Sequence, residues 1–152
     1  MLIHGKCHCG AIVFALDWPG DQPNVIARAC SCSFCSKHGG VWTANPDAKV
    51  SVTLKQIDLV SRYSFGTNTA AFYVCKRCGA VPFATSEIES HVYAVVNANT
   101  FEDLDSSRLI RQSVSFEGEE QRSRLARRQR NWISRVEISM AVPNNLESSA
   151  GS

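Results

Sequence analysis

A chain of 152 residues with a formal net charge of +2 is long enough for one domain with a hydrophobic core and too short for two domains of ordinary size. Its composition, 44% hydrophobic and 20% charged, excludes an intrinsically disordered protein. No apolar run reaches the roughly 20 residues of a membrane-spanning helix, and the run 11–16 lacks the basic region and cleavage site of a secretory signal. We therefore expect a cytoplasmic protein without a membrane partner.

Short apolar and β-branched runs, bounded by glycine, proline and asparagine, predict short strands through residue 116. The clearest is 50–54, where Val50, Val52 and Leu54 alternate with polar residues, as in a strand with one buried face. Closely spaced strands of this kind predict an all-β sandwich or open barrel. The other predicted strands are 12–16, 25–29, 41–44, 59–63, 70–74, 81–85, 92–96 and 113–116, with a turn or loop at 64–69.

One helix of appreciable length is predicted, over residues 119–132. Gly118 precedes it and two glutamates open it, where negative charge is favourable to the helix dipole. Its apolar residues are few, so we expect an exposed helix. Residues 144–152 are small and polar and predict a disordered tail, which leaves 1–143 as a single domain.

The seven cysteines form three clusters and are the main chemical signal. An odd number excludes a fully paired disulfide framework within one chain, and disulfides do not persist in a reducing compartment. Dense clusters in such a chain indicate zinc ahead of redox chemistry, and zinc binds cysteine as the thiolate. Seven thiolates with two zinc ions would make the net charge slightly negative, so the formal charge does not indicate a nucleic-acid partner. The clusters are Cys7 and Cys9; Cys30, Cys32 and Cys35; and Cys75 and Cys78.

The cysteine count predicts two zinc ions per chain. A structural zinc site has four protein ligands, which leaves three cysteines for a second site with an open position for water or substrate. The spacing favours Cys30, Cys32 and Cys35 for that open site, while Gly79 suits the turn of the Cys75–Cys78 pair. Spacing alone does not establish this grouping, and in an alternative arrangement a histidine, His38 or His8, closes the second site.

Four sequence motifs resemble the glutathione-dependent formaldehyde-activating enzyme family, which also includes centromere protein V. The resemblance covers residues from about 5 to 116. The motifs are Gly5-x-Cys7-x-Cys9-Gly10 followed by Val13 and Phe14; Cys30-Ser31-Cys32-Ser33-x-Cys35-x-Lys37-x-Gly39; Phe72-Tyr73-x-Cys75-x-x-Cys78-Gly79; and Tyr93-Ala94-Val95-Val96-Asn97 before Phe101-Glu102-Asp103-Leu104.

The resemblance implies a fold, two metal sites and a reaction. The fold would be a mainly β, mostly antiparallel β-tent with one short C-terminal helix. Cys7, Cys9, Cys75 and Cys78 would hold a structural zinc, and Cys30, Cys32 and Cys35 would hold a second zinc at the catalytic site. The partners would be glutathione and formaldehyde, joined as S-hydroxymethylglutathione by an enzyme of the carbon–sulfur lyase class. The arginine-rich segment after Phe116 has no counterpart in the family pattern.

An open zinc site suits this reaction. A free thiol has a pKa of about 8.5 and is mostly protonated at neutral pH. Zinc converts a bound thiol into a thiolate, which can attack an aldehyde. Three cysteine thiolates make the ion electron-rich, so we expect it to position the thiolate rather than polarise the carbonyl.

Three further side chains near the cysteine clusters are candidates for the second site. His38 lies three residues after Cys35, at a possible ligand or proton-shuttle spacing, although a surface histidine is the favoured interpretation. His8 lies between two candidate ligands, and we expect its side chain to point away from the metal. Trp42 could line the open site, although a core position is more common for tryptophan.

Six arginines give the C-terminal region a basic run. They could bind the carboxylates of glutathione, an acidic partner or nucleic acid. The favoured interpretation is a solvated helix face balanced by nearby glutamates. The run nevertheless leaves a second hypothesis for the function, a non-catalytic, zinc-stabilised binding module. The arginines are Arg122, Arg124, Arg127, Arg128, Arg130 and Arg135.

Overall fold

The computed structural model describes residues 1–141, so the predicted tail at 144–152 lies outside the described residues and the single domain at 1–143 stays a prediction. The described part is built mainly from short strands. The strands are β1 (Leu2–Lys6), β2 (Ile12–Asp17), β3 (Val25–Cys30), β4 (Val41–Thr43), β5 (Lys49–Leu54), β6 (Val60–Tyr63), β7 (Ala71–Cys75), β8 (Phe83–Ile88), β9 (His91–Asn97), β10 (Leu109–Val114) and β11 (Arg135–Met140); the helices are α1 (Ser33–His38) and α2 (Gln121–Asn131).

The strands form two sheets. One has four strands in the order β1-β2-β5-β11, and the other has seven in the order β10-β3-β4-β9-β8-β7-β6. Most neighbours are antiparallel, but β10 runs parallel to β3 and β11 runs parallel to β5. The expected mainly β fold with a short C-terminal helix is confirmed. In the described residues no helix is long and apolar enough to cross a membrane.

The hydrophobic core lies between the sheets. Phe14 and Val52 from the four-stranded sheet pack in one cluster with Phe83 and Val96 from the seven-stranded sheet. Alternate residues of β2 and β5 are buried, which is the period that a strand with one inward face requires. Cys7 and Cys75 belong to the same cluster and are fully buried, so two of the four predicted ligands of the structural zinc lie in the core.

Helix α2 lies against the seven-stranded sheet. It occupies Gln121–Asn131, close to the predicted 119–132, and Ile133 just beyond it forms a β-bridge with Ala94 of β9. The expectation of an exposed helix is wrong for its inner face, where Arg128 is buried, as is Trp132 just after the helix. The sparse apolar pattern of the helix did not indicate a buried face, because the residue that points inward is an arginine.

Three elements were not predicted from the sequence. Strand β1 has only one buried aliphatic side chain, Ile3, and α1 is a six-residue helix whose cysteines hide any apolar period. Strand β11 carries Val136, Ile138 and Met140 at period two, a signal that was present but overlooked. Of the predicted strand at 113–116, residues 113 and 114 are the end of β10, which begins at Leu109 and is mostly exposed, and residues 115 and 116 lie beyond the strand.

Gly5 of β1 gives a stability prediction, because a Cβ at this position would lie 2.1 Å from Cζ of the buried Phe14 ring. We expect Gly5→Ala to lower the free energy of unfolding by about 1–3 kcal/mol through overpacking. Chemical denaturation measures the change. Adding Phe14→Leu, which shortens the opposing side chain, should restore part of the loss, and a Gly5→Ala protein as stable as the parent would contradict the steric argument.

Candidate active site and metal centres

The first cysteine group joins the two sheets. Cys7 and Cys9 lie in the turn after β1, while Cys75 ends β7 and Cys78 lies in the turn that follows. The four Sγ atoms lie within 4.8 Å of one another. Gly79 has a φ of +78°, and its N–H donates to the carbonyl of Cys75, so the left-handed turn predicted from the sequence is present.

The spacing of these sulfurs fits a tetrahedral zinc ion. Bonds of about 2.3 Å place the sulfurs of such a site about 3.8 Å apart. The Sγ of Cys9 lies 3.8 Å from that of Cys7 and 3.5 Å from that of Cys75, which is too far for a disulfide. The Ile12 N–H donates to Cys7 Sγ at 3.3 Å, as backbone amides do around ligating sulfurs. An all-sulfur donor set of this kind could hold zinc.

The thiols of this group differ in acidity. Burial is the main cause that raises the pKa of Cys7 to about 12. Burial also acts to raise the pKa of Cys78, but hydrogen bonds from the backbone of Ala80 and Cys9, together with neighbouring thiols, outweigh it and lower that pKa to about 6. The Cys7 sulfur therefore keeps its proton more strongly than the Cys78 sulfur, and a bound cation would be needed to hold Cys7 as the thiolate at neutral pH.

The second cysteine group lies on the connection between β3 and β4. Cys30 ends β3, Cys32 is the N-cap of α1, and Cys35 lies within that helix. Their three Sγ atoms lie within 4.8 Å of one another. Helix α1 produces this convergence, since it turns Cys35 back over Cys32, whose sulfur accepts from the Cys35 N–H at 3.3 Å. Gly39 ends the helix in the left-handed conformation, with φ of +73°.

Hydrogen bonds orient this cysteine triad (Cys30, Cys32 and Cys35). The indole Nε1–H of Trp42 donates to Cys35 Sγ at 3.3 Å, and the Cys32 N–H donates to Cys30 Sγ at 3.5 Å. The hydrogen bond with Cys35 lowers the pKa of Cys30 to about 5, and the charge of Arg127 acts in the same direction. The same contact raises the pKa of Cys35, so the thiol of Cys30 is more acidic than that of Cys35.

Neither candidate histidine joins a cysteine group. The ring of His38 packs on Phe34, with centroids 4.4 Å apart, and burial lowers its pKa. Its Nε2 atom is buried and has no hydrogen-bond partner in residues 1–141. His8 is exposed, and its ring belongs to neither group of converging ligand atoms in the described residues. Within the described chain the triad therefore offers three ligand atoms, and the alternative of a second closed site receives no support.

A cavity of about 450 Å³ adjoins the triad, whose three cysteines form part of its wall. Trp42, Phe65 and Phe72 give the wall an aromatic side, and the rings of Trp42 and Phe72 meet edge to face at 5.6 Å. Trp42 is therefore both buried, as favoured from the sequence, and part of the site. Sequence reasoning missed Phe65 and Phe72 as wall residues, since only tertiary contacts bring β7 and its preceding loop beside α1.

The C-terminal helix contributes positively charged side chains to the wall of the same cavity. Arg124, Arg127 and Arg128 line it, so these side chains do not form the solvated face that was expected. Glu119 pairs with Arg127, whose Nε and Nη2 atoms lie 3.0 and 3.1 Å from its two carboxylate oxygens. Arg124 reaches the same carboxylate at 3.4 Å. The Arg127 hydrogen bond is the main cause that lowers the pKa of Glu119.

Comparisons with known proteins give one structural likeness and one family match. A crystal structure of a Rhodobacter sphaeroides protein, a structural-genomics target, is 24% identical in sequence, with a TM-score of 0.52 over 73% of this chain and 99% of that chain. This likeness supports the fold. Residues 2–116, about three quarters of the chain, match a family of enzymes. The chain belongs to the glutathione-dependent formaldehyde-activating enzyme family.

Proposed function

We propose that this protein is a zinc-dependent carbon–sulfur lyase that joins a thiol such as glutathione to a small aldehyde such as formaldehyde. The observation that carries the proposal is the cysteine triad, three convergent sulfurs without a fourth ligand in the described residues, in the wall of a cavity of about 450 Å³. Membership of the family supports the choice of thiol and aldehyde.

The two cysteine groups have different proposed roles. Cys7, Cys9, Cys75 and Cys78 form a closed set of four that would hold a structural zinc between the sheets. Cys30, Cys32 and Cys35 would hold the second ion at the reaction site. Zinc held by three sulfurs has room for one more ligand, and its chemistry there would be to bind the substrate thiol as the thiolate.

The reaction is an addition that needs no redox partner. The sulfur of the thiol forms a bond to the aldehyde carbon while the carbonyl π bond breaks. The proton lost by the thiol is transferred to the aldehyde oxygen, which becomes a hydroxyl; with formaldehyde the sulfur then carries a hydroxymethyl group. The reverse step breaks the same carbon–sulfur bond. The overall change balances for one thiol and one aldehyde.

The chain's own residues would position the reactants. Trp42 holds Cys35 through its indole N–H, which fixes one edge of the triad. Phe65 and Phe72 cover part of the cavity with apolar surface, which limits the access of water to the reacting carbonyl. The hydroxyls of Ser33 and Thr67 also lie on the wall, where a small adduct could accept or donate hydrogen bonds.

Exchange spectroscopy with glutathione and formaldehyde tests the proposal, because it measures formation and breakdown of the adduct at equilibrium. We expect the zinc-loaded protein to accelerate exchange above the uncatalysed rate. Exchange at the background rate, with metal analysis showing both sites filled, would refute the proposed reaction.

The same cavity bears on the rival hypothesis of a non-catalytic binding module. That hypothesis needs the basic run to face solvent, but Arg128 is buried and Arg124 and Arg127 share a carboxylate beside the cavity. Arg122 and Arg130 are exposed on α2. The placement of three of the arginines therefore favours a small-molecule site over a nucleic-acid surface.

A further inference from the structure

One arginine in the cavity wall lacks the partner that a buried charge normally has. Arg128 is 8% exposed and lines the same cavity as the cysteine triad. Within residues 1–141 no carboxylate forms an ion pair with it, whereas Arg124 and Arg127 both pair with Glu119. A buried charge without a counter-ion is costly, so an arginine in this position calls for an explanation.

The side chain of Arg128 is held in place from one side. Its Nη1 atom donates to the hydroxyls of Thr69 and Ser86, at 2.9 and 3.1 Å. Its guanidinium carbon lies 4.9 Å from the ring centroid of Trp132, so the planar group also stacks on an aromatic face. These contacts use one end of the guanidinium and fix its orientation.

The other edge of the guanidinium is unpaired. Nε is buried without a hydrogen-bond partner in the described chain, and Nη2 donates to no residue there either. The Nε–Nη2 edge is one of the two forks with which arginine binds a carboxylate through two parallel hydrogen bonds. Because the two hydroxyls accept from Nη1 only, the Nε–Nη2 fork is the part of the side chain that lacks a hydrogen-bond acceptor.

The surrounding charge also favours an anion. Burial, followed by the charges of Arg127 and Arg124, lowers the pKa of Arg128 to about 10, so the group stays charged at neutral pH. A carboxylate beside it would remove the cost of the unpaired charge. It would also offset the positive charge of the wall, whose lining includes four arginines and, among the described residues, the single carboxylate of Glu117; the arginines are Arg28, Arg124, Arg127 and Arg128.

We propose that Arg128 is the specificity-determining residue of the cavity, and that it selects substrates that carry a carboxylate at a distance from their reacting sulfur. The placement of that sulfur at the cysteine triad rests on the proposed function, whereas the contact between the carboxylate and Arg128 does not. Arg128 lies outside residues 2–116, so this selection comes from the segment that the family match does not cover.

A non-reacting ligand tests the contact separately from catalysis. S-methylglutathione has no thiol to donate, and its diethyl ester differs in carrying no carboxylate. We expect the zinc-loaded protein to bind the acid about 10- to 100-fold more tightly than the diester, the range typical of a hydrogen bond to a charged group. Calorimetry measures both affinities, and the fluorescence of Trp42 and Trp132, which line the cavity, gives an independent signal.

The diagnostic variant is Arg128→Met, which removes the charge at similar length. It should fold, because Ser86 still donates to the Thr69 carbonyl and the Thr69 hydroxyl still pairs with Thr67. We expect its preference for the acid over the diester to fall to about one, while Arg130→Met, an arginine of α2 that does not line the cavity, keeps the parent preference.

The ratio of the two affinities separates selection from scaffolding. If Arg128 only anchored α2, the variant would bind acid and diester more weakly by the same factor, and the proposal would be overturned. It would also be overturned if wild-type protein did not distinguish the ligands or bound neither. Acid preference that depends on Arg128, in a protein that fails to accelerate adduct exchange, would support this contact while rejecting the proposed reaction.

Discussion

Complete removal of zinc with a chelator is expected to unfold the protein. Structural zinc contributes on the order of 10 kcal/mol to the folding of small zinc domains. A domain of ordinary stability has only about 5–15 kcal/mol in total. The loss of the ion proposed for the first cysteine group should therefore abolish most of the net stability, and far-UV circular dichroism with metal analysis on the same sample measures it.

The position of the first cysteine group explains why the effect should be global. Its members lie in the turn after β1, at the end of β7 and in the turn after β7, and these two strands belong to different sheets. Cys7 and Cys75 are fully buried within the core cluster between those sheets. Without an ion, four thiols or thiolates would be crowded together at the edge of the core, and burial disfavours charge on the two that are fully buried, Cys7 and Cys75.

Two substitutions separate this group from the triad. Cys75→Ala should reproduce the unfolding seen on chelation, because it removes a ligand from the group that joins the sheets. Cys32→Ala should keep the parent dichroism spectrum, since the triad lies on one connection within a single sheet. An unchanged spectrum and unfolding midpoint after confirmed loss of all zinc would refute a structural role for the metal.

The sequence was most informative where local spacing determines chemistry. Both cysteine groups assemble in the combinations predicted from spacing and from the family motifs, although metal binding by them stays a prediction. Strand β5 was predicted within one residue because Val50, Val52 and Leu54 alternate with polar residues in the plainest way. These features depend on neighbours a few residues apart, which a single sequence displays directly.

Features that depend on distant contacts were not predictable in this way. The cavity combines the triad with Phe72 of β7 and with α2, segments separated by tens of residues in the chain. The inward position of Arg128 depends on hydroxyls of Thr69 and Ser86, so helical periodicity suggested a solvated face instead. Strand pairing across long separations, such as β11 beside β5, leaves no local signal of its register.

Loss of one ligand from the triad is expected to abolish catalysis while leaving the fold intact. Cys32→Ala removes one of three convergent sulfurs and also the acceptor for the Cys35 N–H at the start of α1. Mutation of outer partners of a metal site commonly costs 10- to 100-fold in affinity or activity. Loss of a direct ligand should therefore lower the rate of adduct exchange by at least about 100-fold, towards the uncatalysed rate.

Metal stoichiometry distinguishes this explanation from general damage. The Cys32→Ala protein should contain about one zinc ion instead of two, and its dichroism should match the parent because the first cysteine group is untouched. Lys37→Ala is a matched control, since Lys37 is an exposed residue of the same helix and does not line the cavity. It should retain two ions and the parent rate. Equal exchange rates for the parent and Cys32→Ala proteins would show that the adduct does not form at the triad.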